Sequence, residues 1–425
     1  MSILRIKTNG FWCAVILFLL LSGTVEAQNG AGSVYSIFGI GEMSRTSSTA
    51  SQGMGYTAIG WSSPYSVNIV NPAANDQTGS YFNHVFDVGF YYANTTYESQ
   101  GSKENGSYGG LSNFSFWFKY NDKWNGLIGL SNYSNVGYNI YKNNVNSFQT
   151  GDFDIAYEGS GGLNEIYFSN GYSLFKNLSV GLKLAFIFGN ISRTEDITGG
   201  QSLKAYMAED RTVIANFDLE YSLNYRLERP KYFMNFGLIY KNPTNLKGTT
   251  TASISEWDYS NGVDVDENVL YDETESASEY ALPRRIGFGL SYNTNKLVLA
   301  SDVEFNQWSQ AEIEGYTDDL KDTWRYAFGL EYTPDRFGQD ALGRVSYRVG
   351  GYFENSYIKV NEITSNTYGI TAGLGVPLKR GSAMNVAYHR KYNGTTENDL
   401  IFESTHEVTL NFSIRQRWFQ RQKYD

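Results

Sequence analysis

The sequence predicts an all-β fold: a transmembrane antiparallel β-barrel of about 14 strands with an N-terminal hatch or plug inside the lumen. The first observation is a period of two in residues 213–225, where apolar and polar residues alternate. Successive side chains of a strand point to opposite faces, and a tilted strand needs about 9–11 residues to cross a bilayer. The second is composition, because the 425 residues include 34 Tyr, 26 Phe and 43 Gly but only 7 Pro. The third is that no apolar run beyond residue 27 approaches the roughly 20 residues of a membrane helix.

The first 27 residues have the pattern of a cleaved signal peptide. A positive region, an apolar run and a small-x-small motif lie in order at 5–7, 11–21 and 25–27, so we expect the mature chain to begin at Gln28. The single cysteine, Cys13, lies in this segment, and the mature chain is expected to lack disulfides and cysteine-ligated metals. The net charge of −10 disfavours nucleic-acid partners. An exported, acidic and aromatic-rich chain of this kind is typical of the Gram-negative cell outer membrane.

The segment that follows the signal peptide differs from the rest of the chain. Residues 28–80 are rich in Gly, Ser and Ala and contain no long alternating run. Their scattered apolar residues favour a compact plug over a solvated leader. The predicted organisation is therefore a signal peptide at 1–27, a plug at 28–80 and a transmembrane barrel at 81–425.

Alternation then recurs in fourteen segments, and an even number is usual for single-chain bacterial barrels. The segments contain residues 86–92, 114–120, 124–141, 160–175, 178–193, 213–225, 232–247, 284–292, 297–308, 324–332, 345–357, 368–378, 384–392 and 405–418. Short connections alternate with mostly longer ones, such as 98–108, 142–158, 194–211 and 248–283. This asymmetry indicates periplasmic turns and outer loops, and a secreted β-sandwich would not require it.

Several short motifs resemble those of one family of barrels. They are Asn71-Pro72-Ala73, Leu282-Pro283-Arg284, Asp302-Val303 followed by Trp308, Tyr347-Arg348-Val349-Gly350-Gly351-Tyr352 and Gly373-Leu374-Gly375-Val376-Pro377. Together with the strand count and the plug-first order, they make the chain similar to the long-chain fatty-acid transporter (FadL) family. The resemblance is to the Bacteroidota form, which includes the type IX secretion protein PorV. The flanks of Asn-Pro-Ala depart from the family pattern, being Val70 and Ala74-Asn75 here.

The resemblance implies how such a barrel works. In the family, a hatch fills a monomeric 14-stranded barrel, and hydrophobic molecules leave sideways through a gap caused by a kink in the third strand. By position, the implied hatch or ligand-binding residues are Phe38, Asn71, Pro72 and Ala73. The implied lateral opening is where alternation breaks in the third strand, at Asn132, Ser134, Asn135 and Gly137. The alternative readings of that break are an ordinary β-bulge and an outer-loop boundary that lies elsewhere than predicted.

Other candidate sites favour structural interpretations. His84, His389 and His406 have no second ligand at metal spacing, and no nucleophile–His motif is present, so we expect no metal, no cofactor and no enzyme activity. Segment 248–283 contains nine acids, and its Asp264-x-Asp266-Glu267 cluster would supply oxygen ligands for Ca²⁺. A solvated outer loop is the favoured reading. Seven charged residues are expected to face the wet lumen and to support the plug: Lys183, Asp218, Glu220, Asp302, Glu304, Arg325 and Glu331.

Two functions from different classes are compatible with these features. The first is uptake of hydrophobic, fatty-acid-like small molecules through a hatch-gated lumen. The alternative is an accessory barrel subunit of an outer-membrane protein export or assembly complex, as in type IX secretion. Expected partners are the bilayer with its lipopolysaccharide, a hydrophobic small molecule and such a complex, without nucleic acid.

Overall fold

Strands with one apolar and one polar face close into a single barrel. A computed structural model describes residues 32–76, 78, 82–147, 151–199, 204–258, 266–311, 320–360 and 363–417. The predicted signal peptide and the end of the last predicted strand at Trp418 lie outside these residues. Each strand pairs antiparallel with its neighbours in the sheet, and the last strand pairs with the first from Gln416↔His84 to Phe402↔Glu98. The predicted closed antiparallel barrel of fourteen strands is confirmed.

We number the strands β1 to β14 in chain order. They are β1 His84–Ser99, β2 Ser102–Lys119, β3 Trp124–Ser147, β4 Gly151–Phe175, β5 Leu178–Gly199, β6 Lys204–Arg229, β7 Tyr232–Lys241 and Thr244–Asp258, β8 Asp266–Leu282 and Arg284–Asn293, β9 Leu297–Gln307, β10 Thr323–Tyr332, β11 Ser346–Val360, β12 Ile363–Pro377, β13 Ala383–Asn393 and β14 Phe402–Gln416. We call the end of the barrel where the short turns lie, and where β1 begins and β14 ends, the lower end, which the topology assigns to the periplasm.

Two strands consist of two segments each. β7 is interrupted at residues 242–243 and β8 at Pro283. Proline has no N–H to donate to the ladder, which accounts for a break at these positions. The upper segments of β7 and β8 pair with each other, and the upper segment of β7 also pairs with β6. The interrupted strands therefore extend beyond the bilayer as an antiparallel pair.

The alternation read from the sequence matches the two faces of the wall. On β6, Phe217 is 62% exposed on the outer surface, whereas Asp218 and Glu220 are buried inside. Large apolar side chains are likewise exposed on the outside of the other strands, including Leu184 on β5 and Phe328 on β10. This arrangement fits lipid outside and polar groups inside.

The upper connections are shorter than predicted. The expected loop 98–108 is a hairpin whose strands are joined by Gln100-Gly101, and most of 142–158 and 194–211 is strand. The predicted acidic loop 248–283 forms much of the upper segments of β7 and β8, with 259–265 outside the described residues. Above the bilayer both faces of a strand are wet, so hydrophobic alternation fades although the hydrogen-bonded ladder continues. The calcium candidate Asp264 lies outside the described residues.

The N-terminal segment 32–76, which we call the plug, lies inside the barrel. It contains the 3-10 turn Val34–Ile37, the two-residue strand Glu42–Met43, the short helix Thr49–Gln52 and the 3-10 turn Pro72–Asp76. Most of its residues are buried although many are Ser, Gly, Ala and Asn. The wall of the barrel therefore provides the burial that this composition would not achieve alone. No helix among the described residues is long and apolar enough to cross a membrane.

Candidate functional site: the plug, the seam and the cavity

Glycines on the inner wall let the plug backbone touch the strands. A Cβ on Gly237 would lie 1.8 Å from the carbonyl oxygen of Ile59, and one on Gly350 would lie 2.2 Å from the carbonyl carbon of Met54. Such distances are far inside van der Waals contact. Similar close approaches to the plug occur at Gly171, Gly181, Gly289 and Gly329. The plug is therefore fitted to the wall on several strands, from β4 to β11.

One buried carboxylate holds the middle of the plug. Asp302, on the inner face of β9, accepts hydrogen bonds from the backbone N–H groups of Ala58 at 2.6 Å, Ile59 at 2.9 Å and Gly60 at 3.4 Å. The side chain is 1% exposed. Consecutive N–H groups that converge on one carboxylate fix the conformation of this turn as well as its position.

A charge network surrounds Glu304, two residues further along β9. Its carboxylate lies 2.6 Å from Arg285, 3.1 Å from Arg325 and 3.5 Å from the plug residue Arg45. Arg325 also donates to the carbonyl oxygen of Gly55 in the plug at 2.8 Å. Arg45 forms a second ion pair with Glu354. The predicted inward placement of these charges is thus accompanied by direct ionic contacts between wall and plug.

The lower part of the plug is tied to β6. Arg226 pairs with Asp76 at 2.5 Å, and Ser222 accepts a hydrogen bond from the N–H of Ala73 at 3.3 Å. The side chain of Asn71 donates to the carbonyl oxygens of Ile59 at 2.6 Å and Leu223 at 3.4 Å. These contacts attach the plug to β6 near the lower end of the lumen.

The upper part of the plug is tied to β13 and β14. Glu403 accepts from the hydroxyl of Ser33 at 2.8 Å and from the N–H of Val34 at 2.7 Å. Tyr35 donates its hydroxyl proton to the carbonyl oxygen of Ile401 at 2.7 Å. Burial, reinforced by the nearby Glu403 carboxylate, raises the pKa of Tyr35 to about 12, so its hydroxyl stays a donor at neutral pH. Lys391 of β13 also forms an ion pair with Glu42.

The wall is incomplete between β2 and β3. Their pairing runs from Lys119↔Asn125 to Asn113↔Ser131 and stops there, although both strands continue upward for more than ten residues. β2 remains paired with β1, and β3 remains paired with β4 through a bulge at Tyr133. We call the opening above Asn113 and Ser131 the seam.

The plug takes the place of β2 as the partner of β3 at the seam. Its two-residue strand pairs as Glu42↔Asn135 and Met43↔Ser134. The N–H of Ser44 donates to the carbonyl oxygen of Tyr133 at 2.9 Å, and the N–H of Gly32 donates to that of Gly137 at 2.6 Å. One edge of the seam is therefore covered from within.

A cavity of about 400 Å³ lies between the plug and the wall. It reaches both sides of the seam, at Leu111 and Ser112 of β2 and at Asn132 and Asn135 of β3. Its lining includes seven carboxylates and five cations: Glu42, Glu165, Asp218, Glu220, Glu304, Glu354, Glu407, Arg45, Lys183, Lys241, Arg285 and Lys391. Pockets for hydrophobic ligands are mostly apolar with few polar groups, so this cavity is unusually charged for one.

The predicted hatch residues lie apart from this cavity. Asn71, Pro72 and Ala73 are buried at the lower contacts of the plug, and Phe38 is partly buried. None of the four is among the residues that line the cavity. Instead, Asn71 donates a hydrogen bond to Ile59 within the plug, and Ala73 donates one to Ser222 of β6.

The predicted lateral-opening residues lie together at the seam. Ser134 and Asn135 pair with the plug, Gly137 accepts from Gly32, and Asn132 lines the cavity beside the bulge. A bulge and an interrupted wall thus occur at the same point, so the two readings of the sequence break are compatible. The sequence did not indicate Glu42–Met43, because a two-residue strand leaves no periodicity to read.

We expect Gly237→Ala to loosen the plug. The new methyl group would overlap the Ile59 carbonyl, so the plug must shift, at a cost of about 1–3 kcal/mol as for other overpacked sites. Amide hydrogen exchange of residues 58–60 in the purified protein should accelerate. The matched control is Gly351→Ala, whose Cβ would meet only the Gly369 carbonyl oxygen at 3.1 Å. Equal exchange in both variants would contradict the close fit.

Solved structures with this fold include two toluene transporters and a FadL homologue. The match to TbuX of Ralstonia pickettii has 14% identity and a TM-score of 0.55, and covers 87% of this chain and 98% of that one. The match to TodX of P. putida has 16% identity and a TM-score of 0.57, covering 87% and 100%. The match to the Pseudomonas aeruginosa FadL homologue has 12% identity and a TM-score of 0.56, covering 88% and 99%. The resemblance to FadL-like outer-membrane barrels is confirmed as a fold, whereas the Bacteroidota, PorV-related form stays a prediction.

Sequence comparison identifies the family. No curated protein sequence matches the chain. The family model described as BamG matches residues 8–425, nearly the whole length. The chain therefore belongs to the BamG family.

Proposed function

We propose that this protein is a non-catalytic barrel subunit of an outer-membrane protein assembly complex, and that it acts through its outer surface and its ends rather than through its lumen. The observation that carries the proposal is the attachment of the plug around the wall, through Asp302, Glu304, Arg226 and Glu403. Breaking a buried ion pair leaves an uncompensated charge at a cost of about 3–5 kcal/mol. A plug with several such ties is costly to move, which disfavours a freely opening channel.

Family membership supports the same role. The name BamG is formed on that of the β-barrel assembly (Bam) machinery, and the family model spans nearly the whole chain. The charged lining of the cavity also argues against a fatty acid as its main ligand, because an alkyl chain gains about 0.8 kcal/mol per methylene only where the surroundings are apolar.

The turn between β10 and β11 offers a surface for such a complex at the lower end. Residues 333–345 form an ordered turn in which Asp335 donates its N–H to Gly343 and Gly343 donates its N–H to Asp340. Phe337 and Leu342 project from it and are 78% and 69% exposed. The other described lower turns are much shorter.

We expect the double variant Phe337→Asp and Leu342→Asp to lose co-purifying proteins. Each substitution removes an exposed apolar contact and adds a charge, while the wall contacts stay intact. The measurement is mild-detergent purification of tagged protein from native membranes, followed by mass spectrometry. Gln339→Asp in the same turn is the control and should retain the complex. A wild-type protein that purifies alone, without any stoichiometric partner, would contradict the proposed role.

The seam favours a second candidate function, the sideways passage of a hydrophobic, fatty-acid-like molecule. The cavity reaches both edges of the seam, and the fold is shared with proteins whose structures are described as toluene transporters. A molecule in the cavity would enter the bilayer between β2 and β3 once the plug strand Glu42–Met43 moved away from β3. In this second proposal the plug acts as a hatch that gates passage through the lumen.

A disulfide across the seam tests passage. Ser112→Cys with Asn132→Cys introduces thiols one residue beyond the last paired rung, Asn113↔Ser131, in a mature chain expected to contain no other cysteine. If passage occurs here, oxidation should slow uptake of labelled fatty acid or toluene into proteoliposomes at least tenfold, and reduction should restore it. The control is Ser301→Cys with Phe328→Cys on continuously paired strands. Equal uptake in the oxidised and reduced seam variants would exclude this route.

A further inference from the structure

The edge of β2 that faces the seam has no strand partner. Over residues 102–112, β2 pairs with β1 on one side, whereas none of the described residues pairs as a strand on the other. An edge of this kind presents a row of unpaired N–H and C=O groups, a template for another chain. Among the described residues, the plug hydrogen-bonds to it through the side chain of Gln52, which donates to the Ser112 hydroxyl at 3.1 Å.

The two edges of the seam differ in this respect. On β3, the plug covers the edge from Tyr133 to Gly137. Among the described residues, no strand gives such cover to the edge of β2 over residues 102–112. Any strand that completes β2 must therefore come from elsewhere than the described plug.

The beginning of the free edge lies at membrane depth. Leu111 pairs with Phe90 and Gly109 pairs with Tyr92. Phe90 and Tyr92 are 42% and 59% exposed on the outer surface, and Tyr92 is level with the exposed Val408 of β14. In hydrocarbon each unsatisfied backbone group costs several kcal/mol. Acyl chains have no donors or acceptors, so only a polypeptide in extended conformation matches this row of groups.

The edge also lacks the features that protect strand edges. It contains no proline, and its charged residues, Lys103 and Glu104, lie at its far upper end. Gly109 and Gly110 have no side chains of their own that could shield the backbone N–H and C=O groups of this edge. Natural edges are usually blocked by such charges, prolines or bulges, and the bulge of β2 at Ser112 marks only the start of this one.

We propose that the β2 edge over residues 102–112 binds an extended strand of another outer-membrane protein by β-strand addition. The bound strand would present apolar side chains to lipid and polar side chains to the charged cavity, so an alternating sequence is required. This inference rests on the first proposed function and names the kind of contact that the subunit makes with its partner.

The test measures amide hydrogen exchange of β2 in the full-length mature protein in nanodiscs. The probe is a synthetic peptide with the sequence of residues 405–414, THEVTLNFSI, which has the alternating pattern of an outer-membrane strand. We expect it to slow exchange within 102–112 at least tenfold. The control peptide has the same composition in scrambled order and should have no effect. Unchanged exchange, or equal protection by both peptides, overturns the proposal.

The variant with the oxidised seam disulfide provides a second test of strand addition. Tying Ser112 to Asn132 narrows the site, so the alternating peptide should no longer protect 102–112, and reduction should restore protection. Protection that persists after oxidation would place the peptide elsewhere and overturn the proposal.

Native complexes and the isolated protein together separate the strand-addition site from the subunit role. If native complexes purify but their 102–112 amides exchange as in the isolated protein, the strand-addition site is wrong and the subunit role stands. If no complex purifies, the subunit role fails, while the peptide experiment still decides whether the edge accepts a strand.

Discussion

Asp302→Ala is expected to release the middle of the plug while the barrel stays folded. The substitution leaves the buried N–H groups of Ala58 and Ile59 without their acceptor, and that of Gly60 loses a longer bond. An unsatisfied buried donor costs roughly 1–3 kcal/mol, so the two short bonds alone imply about 2–6 kcal/mol. β9 keeps its ladders with β8 and β10, because these use backbone groups.

Hydrogen exchange and limited proteolysis check this expectation. Residues 58–60 should exchange at least tenfold faster in the variant, and proteases should cut the plug before the strands. Asp302→Asn keeps one acceptor oxygen and should give an intermediate result. Val303→Ala, on the next residue, should leave the plug unaffected. Wild-type exchange in Asp302→Ala would mean that the carboxylate is not an anchor.

Leu219→Arg is expected to impair insertion of the barrel. Leu219 lies at the centre of the alternating stretch 213–225 of β6, on its outward face between the exposed Phe217 and Tyr221. An arginine facing lipid at mid-depth costs about 2–4 kcal/mol, which lowers the ratio of folded to unfolded protein roughly 30- to 900-fold. The measurement is urea-dependent folding into lipid vesicles, followed by the gel shift of the folded barrel.

Glu220→Ala is the matched control on the opposite face. Glu220 faces the lumen, where its partner Arg285 lies 3.3 Å away and keeps the neighbouring carboxylate Glu304. Insertion should therefore remain close to that of the wild type. Normal insertion of Leu219→Arg together with failed insertion of Glu220→Ala would mean that Leu219 faces the lumen and Glu220 faces the lipid.

Sequence periodicity identified the strands best where they cross the bilayer. Residues 213–225 alternate because lipid lies on one side and the wet lumen on the other, and the same contrast gave the count of fourteen. Above the bilayer that contrast is absent. The strand residues within the expected outer connections 98–108, 142–158 and 194–211 were therefore not anticipated. The inward orientation of Asp218, Glu220 and Asp302 followed from the same alternation and agrees with their burial.

The candidate sites depend on contacts that a local sequence pattern shows only in part. The break at residues 132–137 was visible because three polar residues interrupt an alternating strand. Its meaning depended on whether β2 continues beside β3, and strand pairing between distant segments is not encoded in one local pattern. The partners of Asp302 in the plug lie more than 240 positions away in the chain, so their contact was likewise not readable.

The sequence by itself determined that this protein is a fourteen-stranded outer-membrane barrel, which face of each strand meets lipid, and that a different kind of segment precedes the barrel. These properties follow from local contrasts in polarity along the chain. Only the tertiary structure decided that glycines admit the plug to the wall, that Asp302 and Glu304 hold it there, and that the plug takes the place of β2 beside β3. Those features arise when closure of the sheet brings distant residues within hydrogen-bonding distance. Buried backbone groups must then find hydrogen-bond partners, whatever side chains their residues carry.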